Sequence, residues 1–268
     1  MSLLVAILLG LVEGLTEFLP VSSTGHLVLV SHWLGSSDEG AKSFDIVIQL
    51  GAILAVVVHY RALLLERLRG LLARDERAVR LFGALLVAFV PAALVGLALG
   101  KTIKRLLFGP LPVAAALLVG GIVMIALEQW RKAKHVEGTS GVEQVTYKRA
   151  LLIGVGQCFS LWPGMSRSMS TIVAGQLSGL ATPTAAEFSF LLSIPTLGAA
   201  TLYEGFKSRH ELLHGVGGAE LAVGLLVSFA VAWVVIAAFI RYLGKRGLAP
   251  FGWYRIALAA LVFVLARQ

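Results

Sequence analysis

The sequence predicts an all-α polytopic membrane protein, built from six transmembrane helices and two re-entrant helical hairpins. Its 268 residues are 57% hydrophobic and only 14% charged, whereas a soluble domain averages about 25% charged residues. Three segments, 81–100, 106–127 and 221–240, contain no Asp, Glu, Lys or Arg over about the 20 residues that a helix needs to cross a bilayer. Two further apolar regions are interrupted midway by polar residues. The hydrocarbon of a bilayer is therefore the expected surrounding of most of this chain.

The uninterrupted apolar segments are interpreted, in chain order, as six spans. They cover residues 44–60, 80–100, 111–130, 185–206, 218–240 and 250–267. The two interrupted regions, 1–34 and 149–181, differ because each half is too short to cross and each break contains Pro, Gly, Ser and ionisable residues. Broken helices at membrane depth are tolerated only where they are buried in protein or line a cavity. We therefore expect both regions to be re-entrant hairpins.

The two halves of the chain resemble each other weakly, which predicts an internal repeat within a single membrane domain, residues 1–268. Residues 10–13 align with 154–157, and a one-residue gap then places 19–23 on 162–166. Because each half has one hairpin and three spans, the halves must have opposite orientations. This is the inverted-repeat plan, in which broken helices meet near the bilayer midplane. The predicted repeats are residues 1–130 and 149–268.

The charges of the loops orient this arrangement, because cytoplasmic loops are enriched in Lys and Arg. The loops 61–80, 131–149 and 241–246 together carry 14 Lys or Arg, and we expect them on the cytoplasmic side. The opposite side holds seven, namely Lys42, Lys101, Lys104, Arg105, Lys207, Arg209 and Arg267. The net charge of +8 is thereby explained without a nucleic-acid partner. The first hairpin then enters from the outer side and the second from the cytoplasm.

A first cluster of polar side chains interrupts the first hairpin. Glu13 and Glu17 are four residues apart, so they share one helix face, and each carboxylate costs a few kcal/mol at membrane depth. A cation, a proton or both must offset this cost, and Mg²⁺ typically binds one or two carboxylates together with phosphate oxygens. A proton relay in a transporter is the alternative for the pair, and a structural hydrogen bond is the alternative for His26. The remaining members are Pro20, Ser22, Ser23, Thr24 and Gly25.

A second cluster interrupts the second hairpin. Arg167 is the only basic residue in the segment 150–206, and a guanidinium presents a planar fork that suits phosphate oxygens. Gly164 permits a close backbone approach, and a helix that restarts after Ser166 would aim N–H groups at an anion. Neutralisation of the glutamates is the alternative role for Arg167, and the two roles are compatible. The cluster also contains the hydroxyls of Ser168, Ser170 and Thr171.

Together the two clusters resemble the signatures of the undecaprenyl-diphosphate phosphatases of the bacitracin-resistance type. The signature (Glu/Gln)-x-x-x-Glu is matched by Glu13 and Glu17, and Pro-Gly-x-Ser-Arg-Ser-x-x-Thr is matched by residues 163–171. The resemblance covers essentially the whole chain. It implies a divalent-cation-dependent phosphatase of the bacterial inner membrane that releases phosphate from the C55 diphosphate carrier lipid. Such an enzyme recycles the carrier for cell-wall synthesis, confers bacitracin resistance, and has its active site open to the outer side.

This resemblance assigns roles to the residues of both clusters. Glu13 and Glu17 are expected to position Mg²⁺ or Ca²⁺, and Arg167 is expected to bind the terminal phosphoryl oxygens. His26 is the expected attacking group or general base, Ser23 either orients it or is itself the nucleophile, and water is the remaining candidate for attack. The expected substrate contacts are Ser22, Thr24, Gly25, Gly164, Ser166, Ser168 and Thr171. A prenyl-phosphate flippase or transporter is the rival function, because inverted repeats with broken helices are also transporter architecture; a homodimer is an assembly that the sequence allows.

Overall fold

The computed structural model describes residues 1–33, 39–207 and 217–266, without the side chains of residues 28, 31–33 and 39–43. These residues form α-helices, two short 3₁₀ helices at Val142–Gln144 and Cys158–Leu161, and one isolated parallel bridge between Thr139 and Leu180. The α-helices are α1 (Leu3–Thr16), α2 (Ser23–Trp33), α3 (Glu39–His59), α4 (Arg61–Leu72), α5 (Glu76–Leu107), α6 (Pro110–Ala133), α7 (Tyr147–Gln157), α8 (Arg167–Leu177), α9 (Thr182–Lys207), α10 (Gly218–Leu243) and α11 (Ala249–Leu265). The all-α prediction is confirmed.

Four of the described helices, α5, α6, α9 and α10, are long and apolar enough to cross a membrane. A fifth span results if α4 and the part of α3 from Phe44 to His59 count as one helix bent by 73°. The last predicted span corresponds to α11, which is apolar but shorter. The prediction of a loop over 61–80 is wrong for residues 61–72, which form α4. Six leucines lie among charged residues there, and Leu64, Leu68 and Leu71 recur at helical spacing, a pattern that the charge count obscured.

Two helix pairs are broken in the same way. Helix α1 ends before Glu17 and α2 begins at Ser23, while α7 ends at Gln157 and α8 begins at Arg167. The residue before each new helix, Ser22 or Ser166, has a positive φ of 74° or 73°. Each of these two serines accepts a backbone N–H three residues later through its Oγ, at 3.2 and 3.3 Å. A serine side chain that caps the first turn stabilises the start of a helix.

This matching geometry favours a register between the halves that differs from the gapped alignment. The gapped alignment placed Ser23 on Ser166, whereas the backbone makes Ser22 the counterpart of Ser166. The two positions are 144 residues apart, as are the first residues of α2 and α8. The blocks 10–13 and 154–157 have the same separation, so no gap is needed. The gapped register aligned Pro20 with Pro163, and that identity made it look better.

Each broken pair packs against the opposite half of the chain. Helix α1 lies along α10, and α7 lies along α5. A glycine lies at each crossing: a Cβ on Gly10 would be 2.6 Å from the carbonyl oxygen of Gly224, and one on Gly154 would be 2.5 Å from that of Ala88. Such small residues let helix backbones approach closely where lipid supplies no hydrophobic drive. The two breaks are therefore held in the interior by helices from both halves.

Two ion pairs each join segments that the charge count placed on the same side. Arg67 Nη2 lies 2.9 Å from Glu143 Oε1 and joins the segment 61–80 to 131–149. Lys104 Nζ lies 3.1 Å from Glu204 Oε1 and joins the C-terminal ends of α5 and α9. Some predictions fall outside the described part of the chain. They are the last residue of the first hairpin, 34, the last residue of the final span, 267, and the charges of Arg209 and Lys42.

Candidate active site

The two breaks meet at a buried ion pair. Arg167 Nη2, on the first residue of α8, donates to Glu17 Oε1, at the end of α1, over 2.9 Å. The two side chains are only 7% and 5% exposed. Removing two charges from water is costly unless further hydrogen bonds satisfy them. The groups around Arg167 and Glu17 therefore decide whether this cost is offset.

Further contacts fix the guanidinium of Arg167. Its Nη1 donates to the carbonyl oxygen of Ser189 at 2.9 Å and to Ser189 Oγ at 3.3 Å. The centre of the guanidinium lies 5.7 Å from the centroid of the Phe18 ring, within cation–π range. Its Nε is buried and has no hydrogen-bond partner among the described residues. Because Nε and Nη2 form one edge of the fork, an anion that displaced Glu17 could accept two hydrogen bonds from that edge.

The two glutamates have different surroundings. Glu17 accepts a second hydrogen bond, from Ser23 Oγ at 2.7 Å. Glu13 is fully buried, and neither of its carboxylate oxygens has a partner within the described chain. One carboxylate oxygen of Asp45 is likewise buried and unpartnered there. An uncompensated buried carboxylate is strongly unfavourable, so the charge of Glu13 must be offset by a cation or a proton that the described residues do not supply.

Glu13 and Glu17 therefore fit a divalent cation. Hard oxygen donors suit Mg²⁺ and Ca²⁺, and Mg²⁺ commonly takes one or two carboxylates with phosphate oxygens completing its shell. The described residues contain no cluster of three or more His, Cys, Asp or Glu side chains that could hold a metal ion. Such a cation would complete its shell with water or with phosphate oxygens.

His26 is held at both ring nitrogens, and neither bond reaches the ion pair. Its Nδ1 lies 2.7 Å from the carbonyl oxygen of Ser22, and its Nε2 lies 2.6 Å from the hydroxyl of Tyr254 on α11. A carbonyl oxygen can only accept, so Nδ1 carries the proton and, in the neutral ring, Nε2 accepts from the tyrosine. The imidazole and phenol planes are nearly parallel. The lone pair of Nε2 is therefore the basic group that this histidine presents.

The remaining predicted substrate contacts divide into two sets. Ser22 and Gly25 are buried at the start of α2, where the backbone N–H of Gly25 donates a hydrogen bond to Ser22 Oγ. Thr24 beside them is half-buried. Ser168 is fully buried and donates to the carbonyl oxygen of Leu19 at 2.9 Å, which joins the second hairpin to the first. Buried Thr171 bonds to Ser189 at 2.6 Å. These last two hydroxyls thus support the site from within the protein.

The break of the second hairpin requires its glycine. Gly164 has a φ of 94°, and a Cβ there would lie 2.7 Å from the carbonyl oxygen of Val113 on α6. The next polar group, Ser166 Oγ, lies 3.0 Å from Ser168 Oγ. The loop is therefore pressed against α6, and its backbone could not follow this path with a larger residue.

Sequence reasoning missed Arg255, which is fully buried on α11. It donates to the carbonyl oxygens of Pro20 at 3.2 Å and Gly164 at 3.0 Å, and so contacts both breaks. Two further donations reach carbonyl oxygens of α6. A signal existed: Arg255 is the only Asp, Glu, Lys or Arg in the segment 247–266, as Arg167 is the only basic residue in its own apolar segment. Tyr254 and Ser189 had no comparable signal.

Comparison with known proteins agrees with this geometry. The family described as Bacitracin resistance protein BacA matches residues 6–261. The chain belongs to this family. A protein of Sorangium cellulosum named undecaprenyl-diphosphatase is 62% identical over 97% of this chain and 85% of its own length. Proteins of the same name in Sphingopyxis alaskensis and Nitrosospira multiformis are 49% and 45% identical, over 93% and 98% of this chain and 92% and 95% of their own lengths. The family that the two motifs predicted for this chain is thus confirmed.

Proposed function

We propose that this protein hydrolyses undecaprenyl diphosphate to undecaprenyl phosphate and inorganic phosphate, and so recycles the carrier lipid of cell-wall synthesis and confers bacitracin resistance. One observation carries the proposal. The buried pair of Glu17 and Arg167 joins the two breaks, 150 residues apart, and places an acid and a guanidinium where one anionic head group can contact both. The names of the relatives favour hydrolysis over the rival transport function.

In the proposed membrane arrangement, α3, α5, α6, α9, α10 and α11 are the six spans. The pairs α1–α2 and α7–α8 are re-entrant hairpins of two inverted repeats, residues 1–130 and 149–268. The equal backbone geometry at Ser22 and Ser166 and the reciprocal packing of α1 on α10 and α7 on α5 support the repeats. The grouped basic loops support a cytoplasmic location for that end. The protein would lie in the inner membrane with its site open to the outer side.

The proposed substrate position follows from the bonds of Arg167. Its Nη1 stays on Ser189, while the edge formed by Nε and Nη2 binds the terminal phosphoryl group and releases Glu17. Phosphoryl transfer depends mainly on positioning and on stabilisation of the charge of the transferred group. A fixed guanidinium meets both needs. Glu13 and Glu17 would hold Mg²⁺ or Ca²⁺, which would neutralise charge on the diphosphate oxygens.

Ser23 is the attacking group that the contacts favour. Its hydroxyl already donates to Glu17, an arrangement of nucleophile and base that recurs in covalent catalysis. In this scheme Ser23 Oγ attacks the terminal phosphorus, its proton passes to Glu17, and undecaprenyl phosphate leaves. Water then attacks the phosphorus of the Ser23 phosphoester and inorganic phosphate leaves, while the proton on Glu17 returns to Ser23 Oγ and restores the enzyme. His26, whose Nε2 lone pair is held by Tyr254, is the other candidate for attack.

Trapping the phosphorylated enzyme distinguishes these candidates. The purified protein is mixed with a β-³²P-labelled prenyl diphosphate and quenched within one turnover. Acid-stable label on Ser23, lost in Ser23→Ala, is the expected result. Acid-labile label on His26 would assign the attack to the histidine, and single turnovers without any labelled protein would assign it to water.

Phosphate release in detergent tests the function itself, because a detergent micelle has no gradient to drive transport. Wild-type protein with Mg²⁺ should release phosphate from undecaprenyl diphosphate. Arg167→Ala and Glu17→Gln should each lower the rate at least about 100-fold, the usual size of loss when one charge-stabilising group is removed. Arg241→Met is the matched control, since this exposed side chain bonds only within its own helix. Rates near wild type in both site variants at saturating metal would refute the proposal.

A further inference from the structure

A basic cavity of about 900 Å³ lies at the end of the molecule where the basic loops gather. It opens between the end of α6, the turn from α8 to α9, and the connection from α10 to α11. Its ionisable lining consists of Arg131, Lys132, His135, Lys245, Arg246, Glu128 and Glu137. None of these residues belongs to the site of Glu17 and Arg167. The cavity therefore has no part in the proposed hydrolysis.

Buried hydrogen bonds make the walls of this cavity rigid. Arg131 is buried and donates to the carbonyl oxygens of Gln176 at 2.9 Å, Glu137 at 3.2 Å and Leu180 at 3.3 Å. Glu128 accepts the backbone N–H of the first residue of α11 at 2.5 Å. Three helices are thereby tied around the cavity, which fixes the backbone that lines it.

Two of the cations that line the cavity, Lys245 and Arg246, have no ion-pair partner among the described residues. Lys132 is engaged with Glu128 at 2.6 Å. The exposed side chains of Lys245 and Arg246 make no ion pair or hydrogen bond with any other described residue, and His135 stands near them in the lining. Two adjacent free cations in a preformed cavity are an anion-binding arrangement, because the attraction is gained without first breaking an internal ion pair.

An apolar groove adjoins the basic cavity. It has a volume of about 350 Å³ and is lined by Val123, Ala126, Leu127, Trp130, Val173 and Leu177 of α6 and α8. Leu127 and Leu177 are the chain neighbours of Glu128 and Gln176 in the cavity wall. The exposed indole of Trp253 lies at the cavity, and Trp is enriched at the level of lipid headgroups. One ligand could thus place an anion in the cavity and a hydrocarbon chain in the groove.

We infer that this cavity binds the phosphodiester headgroup of an anionic phospholipid from the leaflet that faces the basic loops. Basic pockets between transmembrane helices on that side take such headgroups. Lys245 and Arg246 bind the phosphate, and one acyl chain lies in the groove between α6 and α8. Bound lipid would brace α11 against α6 and α8. A free phosphate ion shares the same anionic chemistry but would make no use of the groove.

Native mass spectrometry of the full-length protein in neutral detergent tests this inference. Phosphatidylglycerol, phosphatidylcholine and inorganic phosphate are titrated separately. One saturable equivalent of phosphatidylglycerol is expected, with much weaker retention of the other two ligands. Lys245→Gln combined with Arg246→Gln should weaken that equivalent about 30-fold, because each basic residue near an anionic lipid contributes a factor of about five.

Arg77→Gln combined with Arg80→Gln is the matched control. These two arginines are exposed on α5 near the same basic end and lie outside the cavity. Their removal should leave the affinity within about twofold of wild type. Equal weakening in both double variants, or equal retention of phosphatidylcholine, would reduce the effect to general surface charge and overturn the inference. Equal binding of inorganic phosphate would assign the cavity to a free ion and would also overturn it.

Discussion

Replacing Arg255 with methionine tests whether one buried cation holds the two breaks together. The guanidinium donates to four carbonyl oxygens, those of Leu117, Pro20, Ala116 and Gly164. The two oxygens in α6 also accept within their own helix and keep a partner when the arginine is lost. The oxygens of Pro20 and Gly164 accept no other hydrogen bond from the described residues. The substitution therefore leaves two buried carbonyl groups unsatisfied.

The expected loss follows from that number. Each buried polar group without a partner costs about 1–3 kcal/mol, so the folded state should lose about 2–6 kcal/mol. For a protein of this size that corresponds to a fall of about 5–20 °C in the melting temperature. Methionine is unbranched and fills the site of the arginine stem, which limits the contribution of a cavity.

The assay is thermal unfolding in neutral detergent, followed by intrinsic tryptophan fluorescence, together with phosphate release. Arg241→Met serves as the control because its exposed guanidinium makes one bond within α10. At the assay temperature, the rate of phosphate release by Arg255→Met should fall by more than the fraction of protein that has unfolded. The folded variant is expected to be slower because both breaks loosen. A variant as stable and as active as the control would refute the role assigned to Arg255.

Three further substitutions probe individual contacts. Tyr254→Phe removes the hydroxyl that holds His26, and the rate should fall up to about tenfold, the equivalent of one hydrogen bond, with an unchanged melting temperature. Tyr203→Phe is the control, because Tyr203 is exposed on α9. Equal rates in the two variants would show that the contact of Tyr254 with His26 is incidental. Gly164→Ala should lower the stability of the folded protein by at least about 1–2 kcal/mol from the positive φ of this position alone. Gly100→Ala, in an open helical position, should leave the stability unchanged. Equal melting temperatures for the two variants would contradict the fold of the break. Glu13→Gln should raise the Mg²⁺ concentration that gives the half-maximal rate at least tenfold. In EDTA the same variant should melt at a higher temperature than wild type, because it removes an uncompensated buried charge. A lower melting temperature in EDTA would contradict this.

The parts of the site that the sequence predicted share one physical property. A charge in an apolar segment is costly, so Glu13, Glu17 and Arg167 stand out without any structure, and their partners had to be each other or an added ion. The same rule applied to α11 would have identified Arg255. Arg255 escaped because the segment 250–267 was interpreted as an uninterrupted span, with no polar break around the charge.

Other features required coordinates. His26 meets Tyr254, 228 residues away, and no local pattern signals that contact. The register between the halves depended on the backbone conformation of Ser22 and Ser166 rather than on residue identity. Helix α4 was missed because many charged residues in a segment between spans suggested a loop, although its leucines have helical spacing. Long-range contacts and strained turns are thus where sequence reasoning failed, while charge and hydropathy predicted the class of fold.

A structure with a non-hydrolysable prenyl methylenediphosphonate and Mg²⁺ is the most direct test of the central claim, that both breaks enclose one diphosphate. The terminal phosphonate should lie within hydrogen-bond distance of the guanidinium of Arg167, with Glu13 and Glu17 at the same head group and Ser23 Oγ facing the phosphorus. A head group bound elsewhere, with the ion pair of Glu17 and Arg167 still closed, would contradict the account.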